Sequence, residues 1–442
     1  MKRILILGAG RSATVLIDYL IDHAAEGIWT VTVADMDAHT AARKVAGRPN
    51  ARAVGADLSD KAVRTELMKG VTFVVSLLPP PMHPEVALDC LSMGCHLATA
   101  SYVGPAMHAL HTEAEAKGLT FINEIGLDPG IDHLSAMQML DGLRADGHRI
   151  LHFESHCGGL VAPESDDNPW GYKFTWNPRN VVLAGQGGAA KFIHNGLYKY
   201  IPYQRLFTRI DEISIEGHGL FEGYANRDSL GYREAYGLMD ALTVFRGTLR
   251  KAGFCAAWNV FVQLGMTDDT YTMEGTDRMT LSQYLGAFLP DNGASVRHRL
   301  ADHLCVSDRA MDQIDWLGLF GDEPVGLSNA TPAQILQSVL ERKWIMKPND
   351  KDMIVMWHRI GSEKEGNEHT TTASLVVKGD DMERTAMAKT VGLPLAIATR
   401  MVLEGTIQRR GVVIPIYPDI YNPMLAELER FGVQFEEKCE VA

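Results

Sequence analysis

The chain has 442 residues, 46% apolar and 22% charged, the composition of a folded protein with a sizeable core. At roughly 100–200 residues per domain, two or three domains are expected. The formal net charge is −13, from 42 Lys+Arg against 55 Asp+Glu, with no long basic run, which argues against nucleic acid and anionic membrane as partners.

The opening MKRILILGAG carries only the apolar run Ile4 to Leu7 before its glycines, too short for a signal segment. No later stretch reads as a membrane span, so a cytoplasmic location is expected. Residues 3–7 have strand character and end in Gly8-Ala9-Gly10. Helical periodicity follows over 11–25, then a β-branched run, WTVTVAD, at 29–35. Strand, glycine turn, helix and strand in this order make a βαβ unit. Further strands are predicted at 51–55, 71–78, 95–100 and 120–124, with helices at 60–69, 84–93 and 105–117. This alternation predicts a doubly wound parallel sheet of the Rossmann type. Beyond residue 128 the pattern changes: 149–157, 353–360 and 371–378 alternate as strands of a mixed sheet do, whereas 258–345 reads as mainly helical. The segment 382–404 predicts a helix interrupted near Gly392 and Pro394 and stopped at Gly405. The six cysteines (Cys90, Cys95, Cys157, Cys255, Cys305, Cys439) form no CxxC pair, so no metal site or disulfide framework is expected.

Gly8-Ala9-Gly10-Arg11-Ser12-Ala13 is a dinucleotide fingerprint. The first glycine allows the tight turn, the second lets a pyrophosphate approach the backbone, and the small third position lets helix and strand pack closely. The helix N-terminus then favours the anion. Asp35 ends the second strand 22 residues past Ala13, where a ribose-binding carboxylate belongs. It accepts hydrogen bonds from ribose hydroxyls and repels a 2′-phosphate, which favours NAD(H) over NADP(H), although Arg11, Arg43 and Lys44 soften that repulsion. Asp57 and Leu58 follow the third strand, where adenine rests, and Leu78 ends the fourth, near the nicotinamide ribose. Leu127 completes the expected nucleotide contacts. The plain alternative for Asp57 is the cap of a helix starting near Ser59.

Three more segments are polar where a core would be apolar: Ala100 to Val103, Asn123 to His133, and His156 to Gly159 together with Asn168 to Phe174. Around and beyond these segments, TASYVGPAM, NEIGLDPGIDHLSAM, CGGLVAPESDDNPWGYKFTW, YANRDSLGY, VFRGTLRKAGF, DWLGLF and AKTVGLPLAIATRMVLEG resemble segments of the glutamate-forming saccharopine dehydrogenases, in the same order along most of the chain. The resemblance implies a nucleotide domain (1–128 with 382–442), a mixed-sheet substrate domain (129–257 with 346–381) and a helical domain (258–345). It implies a reversible reaction in lysine metabolism, joining glutamate to aminoadipate semialdehyde as an imine and reducing it to saccharopine. Carried over residue by residue, Ser101, Tyr102, Asp128, Cys157, Arg227, Arg246, Gly247 and Thr248 fall where the family contacts saccharopine. Family members often use NADP(H) and carry a basic residue where this chain has Asp35, a departure that supports NAD(H) here.

The residue types suit that ligand. Three carboxylates need fixed cations, and the planar fork of arginine meets a carboxylate with two charge-assisted hydrogen bonds. Each residue also has a plainer reading: a surface pair with Asp228 for Arg227, an exposed helix start for Arg246, and an inert pocket wall for Cys157. Gly247 and Thr248 permit close backbone approach to a ligand. Asp128 before Pro129 matches a helix N-cap with proline in the first turn. Candidates for proton transfer are Asp128, Tyr102, Lys173 and His156. Asp128 is expected to hold the secondary amine, assisted by Lys173 or Tyr102. His133, His152 and His358 read as structural. Alternatives are a related reductive condensation, as in carboxynorspermidine dehydrogenase, and a catalytically silent NAD(H) sensor. A homodimer is the prior for such an enzyme.

Overall fold

The computed structural model describes residues 1–186 and 188–441. Its contacts divide the chain into two compact units, one of residues 1–150 with 363 onward, the other of residues 151–362.

The first unit is built on strands β1 (Lys2–Leu7), β2 (Trp29–Asp35), β3 (Ala51–Gly55), β4 (Phe73–Ser76), β5 (His96–Ala98) and β6 (Thr120–Ile122). A seventh strand, Gly411–Val413, joins beside β6, so the order is 411–413, β6, β5, β4, β1, β2, β3. All these pairings are parallel. Strand order reverses between β1 and β4, which creates a crevice at the carboxyl edge where such sheets bind ligands. Near-continuous apolar strands such as ILIL suit burial on both faces, and Ile4, Leu5, Ile6 and Leu7 are all buried.

The helix Ala386–Glu404 runs unbroken through Gly392 and Pro394, where an interruption was expected. Its neighbour is the reason: a Cβ on Gly392 would lie 2.9 Å from the backbone N of Leu16, so the missing side chain lets it settle against the helix Thr14–Asp22. Ala386–Glu404 is long and apolar enough to cross a membrane, contrary to the sequence reading, but 78% of its apolar window is buried inside the protein. That burial is what a core helix shows. The antiparallel pair Asn367–Lys378 and Glu436–Val441 completes the unit.

The chain enters the second unit within β7 (Arg149–Val161) and continues through β8 (Ala190–His194), β9 (Leu197–Ile201), β10 (Ile210–Ile215), β11 (Gly219–Ala225), β12 (Thr243–Lys251) and β13 (Asp352–Lys364). Its sheet order is β10-β11-β12-β7-β13, with β8 and β9 branching from β12. β12 runs parallel to β7 and antiparallel to β11. Five of these strands, β8 to β12, have no counterpart in the sequence reading. Beside the sheet, the helices Phe254–Leu264, Leu281–Gly286, Asp308–Trp316 and Pro332–Lys343 share one core with Trp170, Tyr172, Phe174 and Trp344. The segment 258–345 therefore packs as part of this unit.

Candidate active site

The first glycine of the fingerprint sits at φ 100°, and a Cβ on it would lie 3.3 Å from the carbonyl oxygen of Leu77, just past β4. Left-handed backbone and a neighbouring strand both require glycine there. A Cβ on Gly10 would meet nothing within 4 Å, so this side of the turn is open, as a pyrophosphate needs. Arg11–Ala13 form one 3₁₀ turn before the helix Thr14–Asp22, with Ala13 buried, Ser12 half-buried and Arg11 exposed. The Ala9 N–H donates to Asp35 Oδ2 at 2.6 Å and the Asp37 N–H to Asp35 Oδ1 at 2.9 Å. The β2 carboxylate is thus tied to the glycine turn itself. Asp37 caps the next helix, Ala38–Val45, through the His39 N–H. These residues fit a dinucleotide: an open glycine turn, a helix N-terminus and, tied to that turn, a carboxylate at the end of β2.

Asp57 is exposed and accepts from both the N–H (2.9 Å) and the hydroxyl (2.6 Å) of Ser59. It does not cap the following helix; Asp60 does, accepting from the Ala62 N–H. Leu58 and Leu127 are buried, and Leu78 is half-buried.

Past β5 and β6, at the same carboxyl edge, the Tyr102 hydroxyl donates to Asp128 Oδ1 at 3.1 Å. Asp128 is not the helix cap that its sequence suggests. The helix Ile131–Ala145 starts later, from Gly130, and Asp132 serves its first turn, accepting from Gly130 N–H (2.6 Å) and His133 N–H (2.9 Å). A tight loop intervenes because Gly126 and Gly130 meet so closely that a Cβ on Gly130 would fall 2.0 Å from the Gly126 oxygen. The Asp128 carboxylate therefore meets Tyr102 at this edge instead of capping the helix.

The loop that carries Tyr102 is held from beneath by groups the sequence reading missed or set aside. Glu124 accepts from the Val103 N–H at 2.8 Å with one oxygen and meets His133 Nε2 at 2.8 Å with the other. Its own N–H donates to the Ser101 carbonyl. On the other side, His83 touches Ser76 Oγ (3.0 Å), Ser101 Oγ (2.9 Å) and Thr99 Oγ1 (3.1 Å). No local motif marks His83; it opens a helix 18 residues before Ser101.

In the second unit, Arg246 lies within β12 and is 5% exposed, so it neither begins a helix nor faces solvent. Its guanidinium stands 4.2 Å over the Tyr232 ring. Its backbone joins the Asn226–Ser229 turn through Asn226 N–H to Arg246 O (2.7 Å) and Arg246 N–H to Ser229 Oγ (2.9 Å). Arg227, in that turn, is exposed, and the rival partner expected for it, Asp228, pairs with Lys191 instead, at 3.3 Å. Thr248 registers with Cys157 on β7 and with Tyr224 on β11. Gly247 is small for a different reason than ligand approach on its Cβ side: a Cβ there would lie 2.3 Å from His156 Cδ2. The His156 ring fills that space, fully buried, and burial pushes its pKa down to about 3. Such a ring is neutral and packed, unsuited to proton transfer with a substrate. Lys173 is 2% exposed, with Nζ 2.6 Å from Asp350 and 2.7 Å from Asp167. Burial works against its charge, but the two carboxylates outweigh that and hold the ammonium above its ordinary value. It is a fixed cation that binds two acids and cannot accept a proton. Arg250 was also missed: buried among the rings of Tyr172 (5.2 Å), Phe254 (5.4 Å) and Tyr224 (5.8 Å). Among the described residues no group of three or more metal-ligating side chains assembles.

Two family models cover the chain: the saccharopine dehydrogenase NADP binding domain over residues 4–122, and the saccharopine dehydrogenase C-terminal domain over 126–433. This chain belongs to the saccharopine dehydrogenase family. Saccharopine dehydrogenase [NADP(+), L-glutamate-forming] of Saccharomyces cerevisiae is 34% identical over 99% of both chains. The mitochondrial alpha-aminoadipic semialdehyde synthase of Bos taurus is 33% identical over this whole chain but only 48% of its own length. The solved apo saccharopine dehydrogenase (L-Glu forming) of S. cerevisiae superposes over 100% of both chains with a TM-score of 0.90 at 33% identity. Homospermidine synthase of Legionella pneumophila, solved with NAD, shares the fold alone, at a TM-score of 0.56 and 9% identity, over 99% of this chain and 91% of its own. The matching nucleotide-domain model and the S. cerevisiae relative are both named for NADP, so the expected preference for NAD(H) is not supported by these similarities.

Proposed function

We propose that the chain condenses L-glutamate with L-2-aminoadipate 6-semialdehyde and reduces the imine to saccharopine, or runs the reverse and releases glutamate, in lysine metabolism. The observation that carries this reading is the Tyr102–Asp128 pair at the sheet edge that also presents the glycine turn, in a chain with full-length relatives named for that activity. Condensation expels water from amine and aldehyde; reduction then adds a hydride to the imine carbon and a proton to nitrogen. When bound, the nicotinamide supplies or takes the hydride. Asp128 accepts the N–H of the reacting amine, and the Tyr102 hydroxyl orients its carboxylate. Ser101, Cys157, Arg227, Arg246, Gly247 and Thr248 are the proposed substrate contacts, with Arg246 and Arg227 taking carboxylates. Names of relatives at this identity favour saccharopine over the amine of a carboxynorspermidine-type reaction, and favour turnover over silent sensing.

For the cofactor, the NADP binding domain model and the NADP-named relatives support NADP(H). We propose NAD(H) for this chain, because Asp35 and Asp37 place two carboxylates at the end of β2, where a 2′-phosphate would add like charge. We also propose a cytoplasmic homodimer, its contact including the exposed Leu197, Tyr198, Tyr200, Met239 and Leu242 of the second unit. Purified protein given saccharopine with NAD⁺ or NADP⁺ should release glutamate, faster with NAD⁺. No glutamate with either would overturn the function, and faster release with NADP⁺ would overturn the cofactor choice alone.

A further inference from the structure

His83 stands at the start of the helix His83–Met93, 4% exposed, and three hydroxyls converge on its ring. Ser76, at the end of β4, meets Nδ1 at 3.0 Å; Ser101 and Thr99, past β5, meet Nε2 at 2.9 and 3.1 Å. Ser76 and Thr99 are buried, whereas Ser101 is half-buried at the carboxyl edge of the sheet. A serine hydroxyl ordinarily turns freely among its staggered positions, as donor or acceptor. Here the backbone of Ser101 is fixed as well, since its N–H donates to Thr99 Oγ1 (3.3 Å) and its carbonyl accepts from the Glu124 N–H (3.2 Å).

We propose that His83 is a positioning residue that turns the Ser101 hydroxyl outward as a hydrogen-bond donor to a carboxylate of the substrate. The inference rests on the function proposed above. A neutral imidazole has one N–H and one lone pair, so hydroxyls on its two nitrogens take opposite roles. Burial pushes the His83 pKa down to about 4, which keeps the ring neutral. With hydrogen on Nε2, the ring donates to Ser101 Oγ and accepts the Ser76 hydroxyl on Nδ1. The Ser101 proton is then left for the ligand. Ser76 anchors the ring from the buried side, so the direction of one hydroxyl at the sheet edge is set from inside the sheet.

The test compares His83→Gln, whose amide reaches the position of Nε2, with His83→Asn, which reaches only that of Nδ1, and with Ser101→Ala. Loss of one donor to a charged carboxylate raises the KM for saccharopine about 10-fold to 100-fold. Ser101→Ala and His83→Asn should both show that loss with a smaller change in kcat, and His83→Gln should recover most of it. In the Ser101→Ala background, His83→Asn should add less than about threefold. Equal damage from Asn and Gln, or a full additional loss without the Ser101 hydroxyl, would reduce His83 to packing and sink the proposal. A separate readout needs no substrate. The ¹⁵N resonance of His83 Nε2 should be that of a neutral, protonated nitrogen, and should move in Ser101→Ala. An unmoved resonance overturns the ring–Ser101 contact, whereas wild-type protein that releases no glutamate overturns only the function on which the ligand assignment rests.

Discussion

Replacing Lys173 by Met takes an ammonium from between Asp167 and Asp350 and leaves the Asp350 carboxylate, 11% exposed, without its cation. Breaking such a pair from one side costs about 3–5 kcal/mol, so a large drop in the urea midpoint is expected, with the pH–rate profile of the protein that remains folded unchanged. Asp128 behaves differently because its carboxylate meets the half-exposed hydroxyl of Tyr102 at the sheet edge. Asp128→Asn should keep the fold and lower kcat/KM about 100-fold, with loss of one limb of the pH–rate profile. An unaltered profile would remove Asp128 from the proton chemistry. At the far end of the edge, Asp35→Ser combined with Asp37→Ser removes two negative charges from the proposed 2′ position. The ratio of kcat/KM for NADP⁺ over NAD⁺ should rise about tenfold or more, and a constant ratio would show that neither carboxylate governs the choice.

Among the elements, the helix Thr14–Asp22 matters most, because it carries the open glycine turn and leans on the helix Ala386–Glu404 at Gly392. Gly392→Ala pushes a methyl to 2.9 Å from backbone, which cannot yield as a side-chain tip would. The two helices must part, at a cost of about 1–3 kcal/mol, read as a lowered melting temperature and a raised KM for the dinucleotide. How far each element could be read in advance follows from how local its cause is. The apolar run of β1, the glycine turn and the β-branched run of β2 are adjacent in sequence, and they fold as their pattern says. The hairpin of β8 and β9 has a local cause as well. Asn195 and Gly196 both take positive φ between them, and an Asn-Gly pair between alternating residues is a strong hairpin signal. The start of the helix Ile131–Ala145 was not readable, because the Gly126–Gly130 contact that delays it depends on two glycines meeting in space.

For the molecule as a whole, acid is a specific weakness. Burial pushes His83 and His96 down to about 4 and His156 to about 3, all below their ordinary 6.5. The unfolded chain therefore binds more protons between those values, so stability is full above about 6.5 and falls as the pH drops through this window. The most deeply buried ring, His156, contributes the largest share of that loss. The urea midpoint should decline steeply from pH 6.5 to 4, and His156→Phe, which removes one of the three titrations, should make the decline shallower. A slope equal to wild type would mean His156 is already charged in the fold. The proposed dimer is tested at the same scale: Tyr200→Glu with Leu197→Lys should halve the mass seen by light scattering, and an unchanged dimer would place its contact elsewhere.

Periodicity, turn chemistry and the spacing of Gly8, Gly10 and Asp35 are written in neighbouring residues, so the sequence alone determined a doubly wound parallel sheet with a dinucleotide turn at its start. Which polar residue touches which was decided only in three dimensions. Lys173 finds Asp350 across 177 positions, and His156 takes the space that Gly247 leaves empty on the adjoining strand. His83 reaches Ser101 because β4 and β5 are neighbours in the sheet. Strand order and register bring such partners together, and no local run of residues encodes either one.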